Sequence, residues 1–561
     1  MEPGRRILLL SGARLSALAA MAAAGATLAG SEPASGQHGG KHSGQQRARN
    51  GAAQSGLGSG PNSSAGAQNS AGYPFSLGVA SGSPLPAAVV LWTRILYDPF
   101  NAAAMPPLAM SVRWEVAHDE AFRSIAAKGS ALAAPELAHS VHVDVAGLEP
   151  GRWYWYRFML GDAVSPVGRT RTAPAPDSMP GALKLAVASC QHWEFGSYAA
   201  HRHIAAAAPD LVAFLGDYIY EWGPYQRQHP GRAVRSDESY TLDQYRARYA
   251  QYKSDADLQA AHSAAPWILT WDDHEVANDY AADRDERLSA SFAARRAAAY
   301  QAYYEHQPIR LNLQGGGYGT LRMHQRYDWG RLARFHVLDN RQHRAPQACS
   351  VGRGGSSSVY WRACAELRNP AREMLGAEQQ RWLEQGLKES KARWNILAQQ
   401  TLMAGGSQVP LVNGEDGRYW TDGWDGYPAA RQRLYDALQA SGAANPLVLS
   451  GDVHTFYAAE LTRDGRRPSG AANPVLAHEF CGTSITSGSR PQARTLQYVD
   501  MNPQLKYGRS DKRGFMLFSL TPERSSVQFQ GLDDVRNPAS ALATLATFTV
   551  PNNKNRKWGQ G

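Results

Sequence analysis

After Leu183 the chain alternates short apolar runs with longer amphipathic stretches, the rhythm of strands followed by helices. The runs LKLAVA from Leu183, LVAFL from Leu211, WIL from Trp267, WNILA from Trp394, LVL from Leu447 and FMLFSL from Phe515 read as buried strands. Between them, Thr241 with Gln244 three residues on forms a capping-box start to a helix. Ser291–His306 is Ala- and Tyr-rich and helical, and Gly376–Glu389 turns Trp382, Leu383 and Leu387 to one face. Between Tyr73 and Pro174 the period is two: VVLWTRI, SVRWEV, HVDV and WYWYRFML are β-branched or aromatic and separated by Pro/Gly turns. That spacing predicts an Ig- or fibronectin-like sandwich whose aromatics are core.

The boundaries follow from these changes of pattern. Residues 1–30 form an export leader, 31–72 a Gly/Ser/Ala-rich linker, 73–175 the N-terminal β-sandwich, 182–550 an α/β body and 551–561 a tail. In the leader, Arg5 and Arg6 precede Ile7–Leu10 and an Ala-rich apolar segment. This fits a secretory signal, and the paired arginines favour the twin-arginine route and its translocase as a partner. No later segment has the ~18 uninterrupted apolar residues of a membrane helix, so no stable membrane insertion is expected.

Four of the apolar runs end in residues with metal-ligating chemistry. Cys190 follows the first; Gly216, Asp217 and Tyr220 follow the second; Asp272, Asp273, His274, Glu275 and Asn278 follow the third; and Gly451, Asp452 and His454 follow LVL. Ligands of open α/β sheets sit at the carboxyl ends of strands, so four such ends predict one shared site. Carboxylate and phenolate oxygens suit a hard trivalent cation, to which Cys190 adds a thiolate and His454 an imidazole. Asp217 is placed to bridge to a second, oxygen-rich site with Asn278 and Asp452, of the type that takes Ca2+, Mg2+ or Mn2+. Adjacent cations clamp a phosphate and activate a water. His274 then suits protonation of a leaving alkoxide, with Asp273 either holding metal or orienting that His. One of Arg295 and Arg296 suits a bidentate grip on a phosphate oxygen, the other a solvated helix face. His192, His201 and His203 lie in an exposed-looking segment and are read as outside the site.

Charge and cysteine content narrow the class. Of the net +9, +4 belongs to residues 1–72, with six Lys or Arg against two acids. The remaining +5 on so large a body argues against specific nucleic-acid binding. Four cysteines are too few for a disulfide framework, but Cys349 and Cys364 flank a Gly/Ser-rich loop and suit pairing in an oxidising compartment.

The segments ASCQ (Ala188–Gln191), GDYIYE (Gly216–Glu221), WDDHEVANDY (Trp271–Tyr280), LDNRQHR (Leu338–Arg344) and SGDVHTF (Ser450–Phe456) together resemble the PhoD-like alkaline phosphatases. RRAAAYQAYYEH from Arg295, WDGYPAARQRL from Trp424 and EFCGTSITS from Glu479 are similar to further segments of that family. The resemblance implies a metallophosphoesterase-type β-sandwich core flanked by helices behind an Ig-like all-β domain. It implies an exported phosphatase/phosphodiesterase, periplasmic or secreted, that uses one Fe3+ with one or two Ca2+ and a metal-activated hydroxide. On this sequence, iron falls to Cys190, Asp217, Tyr220 and His454, calcium to Asp217, Asn278 and Asp452, and phosphate contact to Arg295 or Arg296. The leader lacks the usual residues flanking the twin arginines, and His343 stands where Tyr is common in the family.

The expected partners are small or polymeric phosphate esters, acted on by a monomer. Rival readings are a phospholipase D-like or teichoic-polymer phosphodiesterase and a non-catalytic surface-binding relative. A mononuclear iron redox enzyme leaves Asn278 and the Asp273–His274 pair without a role. The Gly- and polar-rich stretches Gln342–Val359 and Gly405–Tyr427 are read as loops at the site mouth that set substrate choice.

Overall fold

Alternate residues of the buried strands look in opposite directions, and that alternation builds four layers. In the computed structural model, which describes residues 72–552 apart from 226–228, 230, 231, 315, 414, 415 and 466, two large sheets lie face to face. One face of the first sheet contributes Leu183, Leu185, Val187, Leu211 and Ala213, which pack on Phe335, Ile396, Leu447, Leu449 and Phe480 of the second. The opposite-facing set, Ala186, Ala188, Val212, Phe214 and Trp267, packs on helices Ala199–Ala206, Leu242–Lys253, Ala256–Ala264 and Phe292–His306. On the outer face of the second sheet, Leu397, Val448 and Tyr457 pack on helices Gly376–Lys388 and Pro428–Ser441. The order helix, sheet, sheet, helix is the flanked β-sandwich expected from the sequence.

The first sheet has nine strands, in the order Leu542–Pro551, Arg524–Leu532, Gly514–Leu520, Leu183–Ala188, Leu211–Phe214, Trp267–Leu269, Val79–Leu85, Ala88–Arg94, Ser140–Ala146. Its centre is parallel: Ala188 lies beside Phe214, and Phe214 beside Leu269. The second sheet has seven strands, with Ala333–Val337, Trp394–Thr401, Pro446–Gly451 and Val475–Cys481 parallel to their neighbours at its centre. Parallel strands aligned in register bring their carboxyl ends to a common edge, and the candidate ligands follow those ends.

The N-terminal β region holds the expected strands, but its sandwich borrows from the main sheet. Val79–Leu85, Ala88–Arg94 and Ser140–Ala146 extend the nine-stranded sheet through the pair Gly82–Trp267. A Cβ on Gly82 would lie 2.8 Å from the Trp267 carbonyl oxygen, so only glycine permits that seam. A separate sheet of Ile125–Ala133, Met110–Ala117 and Trp153–Leu160 closes over it, burying Val112, Tyr154 and Phe158 against Val89, Leu91 and Val143. Ile125–Ala133 escapes the sequence reading because IAAKGSALA is mostly Ala, Gly and Ser, with only two strongly apolar side chains to mark a period of two.

The helix predictions hold to within a residue or two. Leu242–Lys253 starts at Thr241 with the full reciprocal cap to Gln244. The two long insertions are not wholly irregular: Ser358–Tyr360 pairs antiparallel with Arg418–Trp420, and a Cys349–Cys364 disulfide ties the first of them. The leader, the linker and most of the tail lie outside the described residues.

Candidate metal centre

Four of the candidate ligands sit in a backbone conformation that their side chains disfavour. Cys190, Asp217, Asp452 and His454 have φ of 61°, 57°, 60° and 52°. Left-handed backbone at a non-glycine residue costs roughly 1–3 kcal/mol and persists only where surrounding contacts over-determine it. Those contacts are present. The Cys190 and Gln191 amides donate to the Gly216 and Asp217 carbonyls at 3.0 Å, and Ile485 N–H donates to the Ser189 carbonyl at 3.0 Å. The buried Glu275 carboxyl accepts from the amides of Asp217 (3.1 Å), Tyr218 (2.5 Å) and Asp272 (2.8 Å), clasping the second and third strand ends together. Gly216, at φ 104°, lets them approach: a Cβ there would lie 2.5 Å from Asp272 Cβ.

The result is a convergence of donors. Ligand atoms of Cys190, Asp217 and His454 lie within 4.8 Å of one another, and all three residues are buried. Tyr220 closes the group: its Oη donates to Asp217 Oδ2 at 2.8 Å and lies 3.3 Å from His454 Nε2. His454 Nδ1 bonds the Gly488 carbonyl at 2.7 Å, which fixes the tautomer and leaves the Nε2 lone pair facing the group. Arg513 ties the loops behind it, donating to the carbonyls of His454 (3.0 Å) and Ser487 (2.8 Å).

The electrostatics call for a cation. Burial, then the neighbouring Asp217, pushes the Cys190 thiol well above its ordinary range. Burial, Asp217 and Cys190 do the same to the Tyr220 phenol. Asp217 Oδ1 is buried with no hydrogen-bond partner. An unmet buried carboxylate oxygen beside a thiol and a phenol is the environment a bound cation would relieve. A soft thiolate, an imidazole and hard oxygens together fit a transition metal.

Two further groups adjoin the first through shared residues: Asp217, Asp273 and His274, and Asp272, Asp273 and Asp452. Burial alone would depress the His274 imidazole, but Asp273, Glu221 and Asp217 outweigh it and hold the ring protonated well above its usual range. Its Nδ1 bonds Glu221 Oε2 at 2.8 Å, and the ring stacks on Tyr220 at 4.2 Å. Asp452 is the partly exposed member of the acid group, so solvent reaches the site from its side.

Sequence reasoning singled out no role for Arg341, which dominates the acid group. Its fully buried guanidinium bonds Asp272, pairs with Asp422 at 2.9 Å, and holds an unpartnered Nη2 3.6 Å from Asp273 and 4.0 Å from Asp452. Arg344 also grips Asp422, at 2.6 Å. LDNRQHR was recognisable as a segment of the family, but nothing in its spacing marks Arg341 as facing the carboxylates. Asp422, from the second insertion, carries no local signal at all.

Other candidates lie further out. Arg295 is committed to Tyr245 Oη at 2.9 Å and Glu238 at 3.2 Å. Arg296 donates through Nη1 to the Ala282 carbonyl, and its Nε has no partner. The Asn278 amide N–H bonds Glu221 at 2.8 Å. The exposed reading of His192 and His201 is corrected: both are buried. His192 packs on Tyr220 at 4.5 Å, and His201, on the buried face of helix Ala199–Ala206, bonds Gln191 at 2.6 Å.

Comparison with known proteins identifies the family. Residues 185–529 match the PhoD-like phosphatase family, and residues 60–174 match the PhoD-like phosphatase, N-terminal domain. Alkaline phosphatase D of Bacillus subtilis strain 168 is 44% identical over 494 residues, covering 86% of this chain and 82% of the relative. A solved structure of PhoD superposes with a TM-score of 0.79 at 42% identity, covering 88% of this chain and 92% of the other. A purple acid phosphatase from yellow lupin seeds shares the fold, at TM-score 0.52 and 12% identity, over 85% of this chain and 74% of the other. The chain belongs to the PhoD-like phosphatase family.

Proposed function

We propose that this protein is an exported, metal-dependent phosphoesterase that hydrolyses phosphomonoesters and phosphodiesters at a centre of one Fe3+ with Ca2+. The convergence of Cys190, Asp217, Tyr220 and His454, three of them in left-handed backbone, carries the reading. These four would hold iron; Asp217, Asp452 and Asn278 would hold calcium. Bound there, the cations would draw charge from the ester and acidify a water.

The chain's own residues supply the rest. His274, protonated and held at Nδ1 by Glu221, presents Nε2 to donate a proton to the leaving alkoxide. Asp273 keeps that imidazole charged. Of the arginine pair, Arg295 is held by Tyr245 and Glu238 and Arg296 by the Ala282 carbonyl, so a grip on phosphate would need one of them to turn from its partner. Glu275 and Arg513 fix the loops, so the donors need little reorganisation on binding.

The location rests on Arg5-Arg6 and the apolar leader, with support from the Cys349–Cys364 disulfide, which suits an oxidising compartment. Among the described residues, no helix is long and apolar enough to cross a membrane. The test is turnover of a chromogenic phosphomonoester and phosphodiester. The expected result is hydrolysis that calcium chelation abolishes and added Ca2+ restores. Full activity after exhaustive chelation, or none in metal-loaded enzyme, overturns the reading.

A further inference from the structure

A second cavity lies on the helix side of the seven-stranded sheet, away from the metal-ligand cluster. Its volume is about 630 Å³, within the ~300–1,000 Å³ range of small-molecule sites. Glu460 in its wall lies four residues along the strand Phe456–Thr462 from Phe456, about 13 Å at ~3.3 Å per residue, and His454 precedes that strand. No residue of the three metal-capable groups among the described residues lines the cavity, although Asp425 of its wall is three positions from Asp422, which pairs with Arg341.

Its walls are built and held. Trp361 and Tyr419 meet edge to face, with centroids 6.2 Å apart and planes at 71°, and form a partly exposed aromatic corner. Trp361 N–H donates to the Gly417 carbonyl at 2.9 Å, and its side chain packs against the buried cluster of Ala348, Cys364 and Leu367. The opposite wall carries two acids. Asp425 pairs with Arg431 at 2.7 Å and accepts from Gly406 N–H at 3.0 Å; Glu460, 5% exposed, pairs with Lys506 at 3.1 Å. Gln504, 4% exposed, lines the same cavity with an Oε1 that no donor reaches. A Cβ on Gly405 would lie 2.5 Å from the Arg431 guanidinium, so the paired glycines let this loop close over the helix.

The chemistry selects a ligand class. Two further charged residues line the cavity, and both are paired: Asp464 with Arg467 at 3.2 Å and Arg463 with Asp436. With every lining carboxylate matched to a cation, the cavity has no surplus charge to draw a phosphate or an ammonium. None of the three metal-capable groups among the described residues includes Asp425 or Glu460. An apolar ligand would leave the Gln504 oxygen unmet, at the cost of a buried acceptor without a donor. What remains is a neutral molecule with many hydroxyl donors and a flat C–H face to lie on an aromatic ring. Carboxyl oxygens keep lone pairs beyond those their cation partners use, and hydroxyls can fill them.

We propose that this cavity is a saccharide-binding site, stacking a sugar ring on Trp361 or Tyr419 and hydrogen-bonding it to Asp425, Glu460 and Gln504. Both insertions are then explained: joined by the Ser358–Tyr360 and Arg418–Trp420 pair, they carry the aromatic corner. The site is independent of the metals.

The test is calorimetric titration of the intact protein with maltotriose and with chitotriose, alongside turnover of a small chromogenic phosphate ester. Saturable binding of at least one trisaccharide is expected, weakened at least tenfold by Trp361→Ala and by the near-isosteric Glu460→Gln. Ester turnover should be unchanged in both variants and in the presence of saturating sugar. If neither trisaccharide binds, or if binding survives both substitutions undiminished, the proposal fails. Altered turnover on saturation would equally contradict a site separate from the metal centre.

Discussion

Replacing Tyr220 by Phe removes one oxygen from the centre and leaves its packing in place. The ring is buried, stacks on His274 at 4.2 Å and packs on His192 at 4.5 Å, and a phenyl keeps both contacts. The lost Oη accepts from Ser487 Oγ at 2.7 Å and donates to Asp217 Oδ2 at 2.8 Å. Ser487 retains a second partner, the Cys190 carbonyl at 3.0 Å, and is not orphaned. Asp217 is: Oδ1 has no partner already, and Oδ2 loses its donor. The metal-free variant should lose about 2 kcal/mol of stability, the range for a hydrogen bond to a buried charged group. In loaded enzyme the loss would be of a ligand in the proposed centre. A shortfall of ~3 kcal/mol in stabilising charge at the ester lowers kcat by roughly 100-fold. Iron content, phenolate-to-iron visible absorption and ester turnover, measured on purified Tyr220→Phe, check this together. All three should fall while the far-UV circular dichroism is retained. Wild-type iron content, spectrum and turnover would refute it and reduce Tyr220 to a packing residue.

Two further predictions concern parts that support the site. Glu479 is fully buried between Ser450, Met403 and Ala404, and burial raises its carboxyl from 4.5 to about 7, against the hydrogen bonds those groups donate. Because the folded value is raised, its contribution is full below pH 4.5 and is lost as pH rises through 7. The stability of wild type relative to Glu479→Gln should decline by about 3 kcal/mol across that window, and a flat difference in denaturant unfolding would contradict it. The Cys349–Cys364 link, 15 residues apart, should contribute ~3 kcal/mol; a double Cys→Ser variant with an unchanged unfolding temperature would count against that.

Much of this centre was legible in the sequence because apolar runs that stop at glycine or a polar cluster mark strand ends, and strand ends of parallel sheets gather. Asp217, Tyr220 and His454 lie where that argument puts them. Residue type does not reveal that Cys190, Asp217, Asp452 and His454 adopt positive φ, since only long-range contacts such as the Glu275 clasp impose it. Arg341 and Asp422 were hidden for a related reason: their partners are 69 and 81 positions apart in the chain, and no local period encodes such pairing. The exposed reading of His192 and His201 fails because polarity alone does not reveal burial: His201 lies on the inner face of a helix, and His192 packs among Phe195 and Tyr220. The N-terminal sandwich was visible strand by strand, but its fusion to the main sheet rests on a single glycine.

The central claim is that Cys190, Asp217, Tyr220 and His454 bind one iron. Anomalous X-ray scattering measured on both sides of the iron absorption edge, from crystals of protein purified without added metal, tests it most directly. The account predicts one iron-specific peak about 2.0–2.6 Å from Cys190 Sγ, an Asp217 carboxylate oxygen, Tyr220 Oη and His454 Nε2 together. An iron peak held by other residues, or a well-ordered site with no iron signal among these four, would contradict it.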